Sequence, residues 1–515
     1  MKILSADEIR SWDQYTIRHE PITSIDLMER AAAKCADWLE ENYFNKDHFT
    51  VFCGKGNNGG DGLSIARLLA AAAQHVTVFI LEFGHIGTQD FQANLARLHQ
   101  YPEVDIRFVQ TEENFHSFSG NEIIIDALYG SGLNRALDGV TANLVAHINR
   151  SGCEIISIDI PSGLFVDRSS KGNPVIKATH TLSFQCYKPA FLVAENSAYT
   201  GEVHILDIGL HPDFYPSVPV TNGTSQYELV DGSIISGIYK PRNPFAHKGN
   251  FGHALLIAGS YGKTGAAVLS AKACLRSGVG LLSCHIPAGG YAILQTSVPE
   301  AMVMTDFNSS FNTKVDADLA KYNAIGIGPG IGTASETNTL LKEIFDTYRG
   351  PVVLDADALN IMASQKDWLK SIPAGSILTP HPKEFERLFG ESKNDFDRIQ
   401  LALQKAKESD VVIVLKGHYT LIAVPSSLAA SGSGYFNNTG NAGMATGGSG
   451  DVLTGILTGL LAQGYSSVES AILGVYLHGL AGDIAAEKLS QEAMIAGDII
   501  ENMGESFKQI NSINK

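Results

Sequence analysis

The sequence predicts two unlike α/β domains, each built on a mostly parallel sheet, and three observations carry that expectation. At 515 residues the chain is long for a single domain. Short β-branched runs alternate with helix-period stretches in both halves, the pattern of parallel strands joined by helices. Between residues 209 and 250 the alternation stops, with prolines at 212, 216, 219, 241 and 244 and "TNGTS" among them. No motif of the first half recurs in the second, so the halves are different domains and not a duplication. The expected boundaries are 1–215 for the first domain, 216–240 for a linker or entry segment, and 241–510 for the second.

The opening "MKILSADEIRSWDQY" turns polar after four residues and lacks the apolar stretch of a signal peptide. It reads as a helix opened by a Ser-x-x-Glu capping box, Ser5 to Glu8. Strands of the first domain are expected at "FTVFC" (49–53), "VTVFIL" (76–81), "EIIID" (122–126), "EIISIDI" (154–160), "THTLSF" (179–184) and "EVHILDI" (202–208). Those of the second are expected at "HALLIAG" (253–259), "LLSCHIP" (281–287), "AIGIGPG" (324–330), "PVVLDAD" (351–357), "SILTPHP" (376–382) and "VVIVLKG" (411–417).

Hydrophobic residues make up 44% of the chain, enough for sizeable cores. No window reaches the roughly 18 consecutive apolar residues of a membrane helix, so no membrane partner is expected. A net charge of −16 argues against a nucleic-acid surface. It also requires anionic ligands to be held by local devices, glycine turns and helix N-termini, rather than by a global field. The six cysteines (35, 53, 153, 186, 274 and 284) show no C-x-x-C pairing and sit mostly in apolar runs. They read as buried free thiols in a reducing cytoplasm.

The chemistry gathers in glycine-rich turns. "CGKGNNGGDGLSIARLLAAA" follows a strand and opens a helix, so its NH groups and the helix dipole converge on one spot. Gly54, Gly56 and Gly59 match the dinucleotide fingerprint, with Glu82 near its acid position, but the two asparagines and Asp61 are unusual in such a loop. A dinucleotide turn, a different anion site and an unliganded tight turn all remain open there. Asp126 closes "EIIID" and Asp159 sits in "SIDIPSGL". Each alone could cap a loop, yet acids at adjacent strand ends converge on one pocket in a doubly wound sheet. In the second half "AGSYGKTGAA" has two residues between Gly259 and Gly262 where a P-loop needs four. His381 in "LTPHPKEFERL" is compatible with a structural or a catalytic role. Lys416 in "VLKGHYTLI" suits a phosphate contact or a helix cap. "GNAGMATGGSGDVLTG" (440–455) places Gly447, Gly448 and Gly450 before Asp451 at a helix start. That arrangement suits either a helix-dipole partner or phosphoryl transfer, in which NH groups neutralise charge and a carboxylate takes the acceptor's proton.

Together "GNNGGDG", "DALYGSGLNR" and "SIDIPSGL" resemble the NAD(P)HX epimerases. "HKGNFGHALLIAGS", "TGAAVLSAKACLRSGVGLLSC", "GIGPGIG", "LDADALN", "TPHPKEFERL", "LKGHYTLI" and "GNAGMATGGSGDVLTG" resemble the ribokinase-like, ADP- or ATP-dependent NAD(P)HX dehydratases. Their order is similar to that of the bifunctional NAD(P)H-hydrate repair enzymes, over roughly residues 3 to 505. The resemblance implies a Rossmann-like three-layer αβα domain followed by a ribokinase-like α/β domain. NADH and NADPH slowly add water across a nicotinamide double bond, giving hydrates (NADHX and NADPHX) in two C6 epimers. The first domain would interconvert R and S. The second would dehydrate the S form at the expense of ADP, returning the cofactor with AMP and phosphate.

The resemblance also implies site residues. Asn57, Asn58, Gly59, Gly60 and Asp61 would contact the hydrate, with Gly130, Ser131, Gly132, Leu133, Asn134, Arg135, Ala136 and Asp159. K⁺ would be bound by Asn58, Asp126 and Ser162, an oxygen set that suits a hard cation. Asp126 and Asp159 are the candidates for proton transfer in epimerisation, not separable from sequence. In the second domain Ala266, Gly330, His381 and Asp451 would meet the hydrate, with Asp451 as the base. The nucleotide, with Mg²⁺, would lie against Lys416, Gly417, His418, Tyr419 and Thr420. A second nucleotide loop would supply Asn441, Ala442, Gly443, Met444, Ala445, Thr446, Gly447, Gly448, Ser449 and Gly450. A homo-oligomer is expected. The chain departs from the family at Lys383, where "HPKE" replaces "HPGE", and at Thr439, where proline is common. The continuation after "SIDIPSGL", which keeps an acid at Asp167, is also less typical. Two alternatives remain: a small-molecule kinase (for hydroxyethylthiazole or a sugar) fused to a binding domain, and a non-catalytic first domain. A dehydrogenase lacks a second catalytic constellation.

Overall fold

The computed structural model describes residues 1–43, 48–214, 227–428 and 434–513. The chain divides into two compact units. One comprises Lys2–Gln226 with Asn394–Phe396, the other Tyr227–Lys393 and Asp397–Lys515 with Met1.

In the first unit, α1 (Ala6–His19) opens with the expected capping box: Ser5 Oγ accepts the Glu8 NH, and the Glu8 carboxylate accepts the Ser5 NH at 2.7 Å. After α2 (Ser24–Tyr43) come β1 (His48–Cys53), α3 (Asn57–Ala71), β2 (His75–Leu81), α4 (Gln89–Leu98), β3 (Asp105–Val109), β4 (Ile123–Ala127), α5 (Gly139–Ile148), β5 (Glu154–Ile158), β6 (His180–Phe184) and β7 (Glu202–Leu206). The sheet runs β3-β2-β1-β4-β5-β6-β7 and every pairing is parallel. Strand residues alternate between its faces. Val51 packs with Leu63 and Leu69 of α3, while Phe52 packs with Leu144 and Ile148 of α5. These are the three expected layers. The strand order reverses between β1 and β4, so a crevice opens at their carboxyl ends.

The second unit contains β8 (Tyr227–Leu229), β9 (His253–Ile257), α6 (Thr264–Arg276), β10 (Leu281–Ile286), β11 (Met302–Thr305), β12 (Ala324–Ile327), β13 (Val352–Leu354), α7 (Ala356–Ser364), β14 (Ile377–Leu378), α8 (Pro382–Phe389), β15 (Val412–Leu415), β16 (Thr420–Ala423), β17 (Gly434–Asn437), α9 (Ser449–Ala462) and α10 (Ser467–Leu489). Its strands lie in the order β8-β17-β16-β15-β14-β13-β12-β9-β10-β11. Pairing is parallel from β15 to β11, and antiparallel only where β16 meets β15 and β17. Helix α9 lies against α6 because Gly455 has no side chain: a Cβ there would sit 2.2 Å from the Ser270 carbonyl oxygen.

The segment expected as a linker or entry segment enters the second unit. Residues 215–226 lie outside the described residues, but Tyr227–Leu229 forms a strand on β17 and Gly232–Ile238 a helix capped by Asp231, whose carboxylate accepts two NH groups. The prolines break periodicity without preventing these short elements from packing. All six cysteines are free, and five are buried. No described helix is long and apolar enough to cross a membrane.

Candidate active sites

In the first unit, the turns after β1, β4 and β5 bring the expected glycines and acids to one end of the sheet. Gly54 donates its NH to Ala127 at 3.1 Å, and α3 begins at Asn57. The turn requires glycine at 59, since a Cβ there would lie 1.7 Å from the Gly54 oxygen. A cavity of about 710 Å³ opens here, lined by Asn57, Asn58, Asp61, Gly130, Ser131, Gly132, Leu133, Asn134, Arg135 and Asp159 among others. Gly59, Gly60 and Ala136 do not line it. A Cβ on Gly60 would instead meet Met28 Sδ at 2.8 Å, so that glycine serves packing. Glu82, at the acid position of the dinucleotide fingerprint, is engaged by the turn's own Lys55 at 2.5 Å and by the Gly84 NH. That carboxylate is committed to closing the turn.

The cavity holds carboxyls tuned in opposite directions. Asp159 has a left-handed backbone, φ +68°, a strained setting for a residue other than glycine. Its Oδ1 lies 2.9 Å from Nζ of the fully buried Lys188, and its Oδ2 accepts the Ser131 NH at 2.8 Å. Burial disfavours its charge, but the Lys188 ammonium and the Ser131 bonds outweigh burial and hold it below the ordinary carboxylate range. Asp61 is pushed well above that range by burial, then by Asp159, Asp13 and Asp90. Asp13 of α1 also lines the cavity. Burial and the Asp159 charge push it up to about 7, with Lys188 and Arg10 acting against them. Neither Asp13 nor Lys188 was singled out in the sequence.

Asp126 differs from Asp159. It is fully buried and does not line the cavity. Its oxygens accept from Ser162 Oγ (2.6 Å), Ser157 Oγ (2.7 Å), the Ser162 NH (2.9 Å) and the Leu128 NH (3.3 Å). Hydrogen bonds satisfy its lone pairs, but no cation is among the groups that shift it, and burial raises its pKa. Asn58 leaves both side-chain polar atoms buried and unpartnered. An uncompensated buried carboxylate and an orphaned amide oxygen fit an oxygen-ligated monovalent cation held by Asn58, Asp126 and Ser162.

In the second unit, Gly448 starts α9 with φ +97°, and Asp451 stands on the helix's first turn. A Cβ on Gly450 would lie 3.4 Å from Asp355 Oδ2 and 3.5 Å from Lys416 Nζ, so this backbone faces both groups. Lys416 donates to Asp355 Oδ1 at 2.9 Å and lies 3.8 Å from Glu384. Asp355 Oδ2 accepts the Thr454 hydroxyl at 3.0 Å. The next residue, Ala356, is again left-handed at φ +48°. Asp357 accepts from Lys263 Nζ (3.2 Å) and the Gly332 NH (2.9 Å). Burial and the Asp355 charge, opposed by Lys416 and aided by Asp357, raise Asp451 to about 6. Burial would lower Lys416, but Asp355, Glu384 and Asp451 raise it above its ordinary value.

Gly330 adjoins Ala266, whose Cβ would lie 3.1 Å from a Cβ added to the glycine. His381 caps α8: its Nδ1 accepts the Lys383 NH at 3.2 Å, and its own NH donates to Glu384 at 2.9 Å. Glu384 therefore links His381 to the Lys416–Asp355 pair. Lys383 is exposed, and the cap uses only its backbone, so glycine is not required there. Thr420 closes a turn on Gly417 that leaves Gly417 and His418 exposed, with the Tyr419 ring 4.5 Å from His418. Asn441 is held by Asp483 of α10 at 2.9 Å and accepts the Gly443 NH at 3.0 Å. Ser449 donates to the Met444 carbonyl at 2.8 Å. Ala442, Ala445 and Gly447 are exposed along the same loop. Asp355 and Glu384 complete this network. Asp355 stands at a strand end in "VVLDAD", the same signal that picked out Asp126.

Two family descriptions match the chain: "YjeF-related protein N-terminus" over residues 24–190 and "NAD(P)H-hydrate dehydratase" over residues 254–504. The bifunctional NAD(P)H-hydrate repair enzyme of Moorella thermoacetica is 35% identical, over 97% of this chain and 96% of its own. The chain belongs to the bifunctional NAD(P)H-hydrate repair enzyme family. The Escherichia coli member is 32% identical over 97% of this chain and 92% of its own. Among solved structures, a Bacillus subtilis ADP/ATP-dependent NAD(P)H-hydrate dehydratase co-crystallised with ATP and Mg²⁺ is 29% identical. It covers 55% of this chain and 98% of its own, with a TM-score of 0.48. In this family member the two matched regions fall in the two separate units, and each unit assembles its candidate site from its own residues.

Proposed function

We propose that this repair enzyme restores hydrated NADH and NADPH in two steps, the first unit interconverting the C6 epimers and the second dehydrating the S epimer with ADP. The observation that carries the reading is Asp451 on the first turn of a glycine-opened helix, beside the Lys416–Asp355 pair. Charge neutralisation by backbone NH groups and a nearby ammonium, with a carboxylate to take a proton, is what phosphoryl transfer to a hydroxyl needs.

The hydrate carries its hydroxyl on C6, bonded to ring N1, so it is a hemiaminal. In the first unit Asp13, which titrates near neutrality, protonates the C6 oxygen as the C–O bond breaks and the N1 lone pair forms a C6=N1 bond. Ionised Asp159 takes a proton from the water that adds to the opposite face. Two carboxyls whose surroundings push them apart are suited to these paired roles. Asn58, Asp126 and Ser162 would hold K⁺, which would supply the counter-charge that the buried Asp126 carboxylate lacks.

In the second unit Asp451 takes the C6 hydroxyl proton as that oxygen attacks the β-phosphoryl of ADP, and AMP leaves. The phosphate ester then departs with its C–O electron pair, pushed by N1, and loss of a C5 proton restores the ring double bond. Lys416 and the NH groups of the 440–450 loop neutralise the phosphates. Asp355 and Asp357, whose negative charges raise Asp451, would hold Mg²⁺, which would offset the charge of the transferring group. The products are NAD(P)H, AMP and free phosphate.

Phosphate release separates this reading from a small-molecule kinase. With S hydrate, ADP and Mg²⁺, the enzyme should release inorganic phosphate in step with reduced nicotinamide. A stable phosphorylated acceptor, or AMP without nicotinamide recovery, contradicts dehydration.

A further inference from the structure

A second chemically competent cluster lies at the opposite end of the first unit's sheet. His180 begins β6, Glu202 begins the edge strand β7, and His204 stands two residues further along it. The register pairs His180 with Glu202 and Leu182 with His204. Directly paired residues, and residues two apart on a strand, share one face of a sheet, so all three side chains project from the same face. His180 Nδ1 lies 3.0 Å from His204 Nε2 and 3.7 Å from a Glu202 carboxylate oxygen. One ligand atom from each residue falls within a 4.8 Å span.

We propose that His180, Glu202 and His204 form a binding site for a divalent transition-metal cation of the Zn²⁺ class, with a solvent-filled fourth position. Tetrahedral zinc takes nitrogen ligands at about 2.0–2.1 Å and carboxylate oxygens at about 2.0–2.2 Å, which sets neighbouring ligand atoms roughly 3.3–3.5 Å apart. The 3.0 and 3.7 Å separations from His180 Nδ1 bracket that value and the remaining pair lies within 4.8 Å, so rotation of the exposed Glu202 side chain closes the set. Trp38 of α2 packs against both imidazoles, with ring centroids 5.3 Å from His180 and 4.8 Å from His204. It holds the rings from the protein side, while the Glu202 side chain, 70% exposed, faces solvent and leaves an approach for the ion. Two imidazoles select against Mg²⁺, Ca²⁺ and K⁺, which prefer all-oxygen cages.

The site lies at the amino ends of β6 and β7, a strand length from the carboxyl-end cavity, and is independent of the epimerase reading. A bound ion ties the edge strand to its neighbour and stabilises the folded unit by mass action.

The test uses the full chain, stripped with a chelator, in potassium buffer and titrated with Co²⁺. The expected result is one equivalent bound with the visible band of four-coordinate cobalt, displaced by Zn²⁺, and a rise in the melting temperature of the first unit. His204→Ala should weaken binding by at least about tenfold. Glu202→Gln, on an exposed side chain that leaves the fold undisturbed, should weaken it in the same direction. Absence of the cobalt band in the unaltered chain overturns the proposal and leaves a hydrogen-bonded imidazole pair. Undiminished binding in both variants also overturns it.

Discussion

At the scale of single residues, Asp451 carries the largest functional and energetic consequences. Its carboxyl is raised to about 6 by burial and by Asp355, so its ionised form is disfavoured in the folded state. If it is the base, dehydration in the free enzyme needs that form, and kcat/KM should fall as pH drops through about 6, with a single acid limb. An acid limb near the ordinary aspartate value would detach Asp451 from the chemistry. Asp451→Asn should lower dehydration by about 10²-fold to 10⁴-fold while leaving epimer exchange intact. The same substitution should stabilise the fold at pH 8, where the wild-type carboxylate is charged in both states and is penalised only when folded. The gain is of the order of 1–3 kcal/mol and should vanish below about pH 4, where the group is protonated folded and unfolded. Thermal melts at the two pH values read it directly. Asp13→Asn should do the reverse to activity, halting exchange of the R epimer while S hydrate is still dehydrated. Chiral separation of the residual hydrates after reaction measures that outcome.

At the scale of elements, each site is a turn after a parallel strand, and steric necessity picks out the residues that shape it. A Cβ at Gly59 would overlap the Gly54 oxygen at 1.7 Å, whereas one at Gly56 meets nothing within 4 Å. Gly59→Ala should therefore cost about 3 kcal/mol or more and abolish epimerisation, and Gly56→Ala should shift stability by less than about 1 kcal/mol. Denaturant melts of the two variants test the contrast; equal effects would mean that the turn is not closed as described. These turns were legible in the sequence because glycine density and strand-end acids are local signals. Most of the parallel strands were legible too, as continuous β-branched runs such as "EIIID" and "VVIVL". Several short or exposed strands were not: Asp105–Val109 is largely exposed, and Tyr227–Leu229, Met302–Thr305, Thr420–Ala423 and Gly434–Asn437 are too short to show a period. Asp13 and Lys188 escaped because nothing in their own segments distinguishes them. Their chemistry exists only once α1 and the segment after β6 are packed beside Asp159. Lys383 shows the converse, a visible departure that the His381 cap absorbs through its backbone alone.

At the scale of the whole molecule, two unlike sheets each place a site at the carboxyl ends of parallel strands, and among the described residues each candidate site is built from its own unit. The net charge of −16 offers anionic substrates no general attraction. Buried Lys188 and the Lys416–Asp355 pair, with helix N-termini, supply positive potential only where it is used. With the two sites in separate units, an equal mixture of the Asp13→Asn and Asp451→Asn proteins should restore what each lacks, with the hydrate passing through solution. That one chain both exchanges the epimers and dehydrates one of them can be read from the unaltered protein alone. A mixture of R and S hydrates is incubated with ADP, Mg²⁺ and K⁺, and the reduced-nicotinamide absorbance is followed to its end point. The entire hydrate pool should be recovered, faster than spontaneous epimerisation allows. A plateau at the S fraction alone would contradict it.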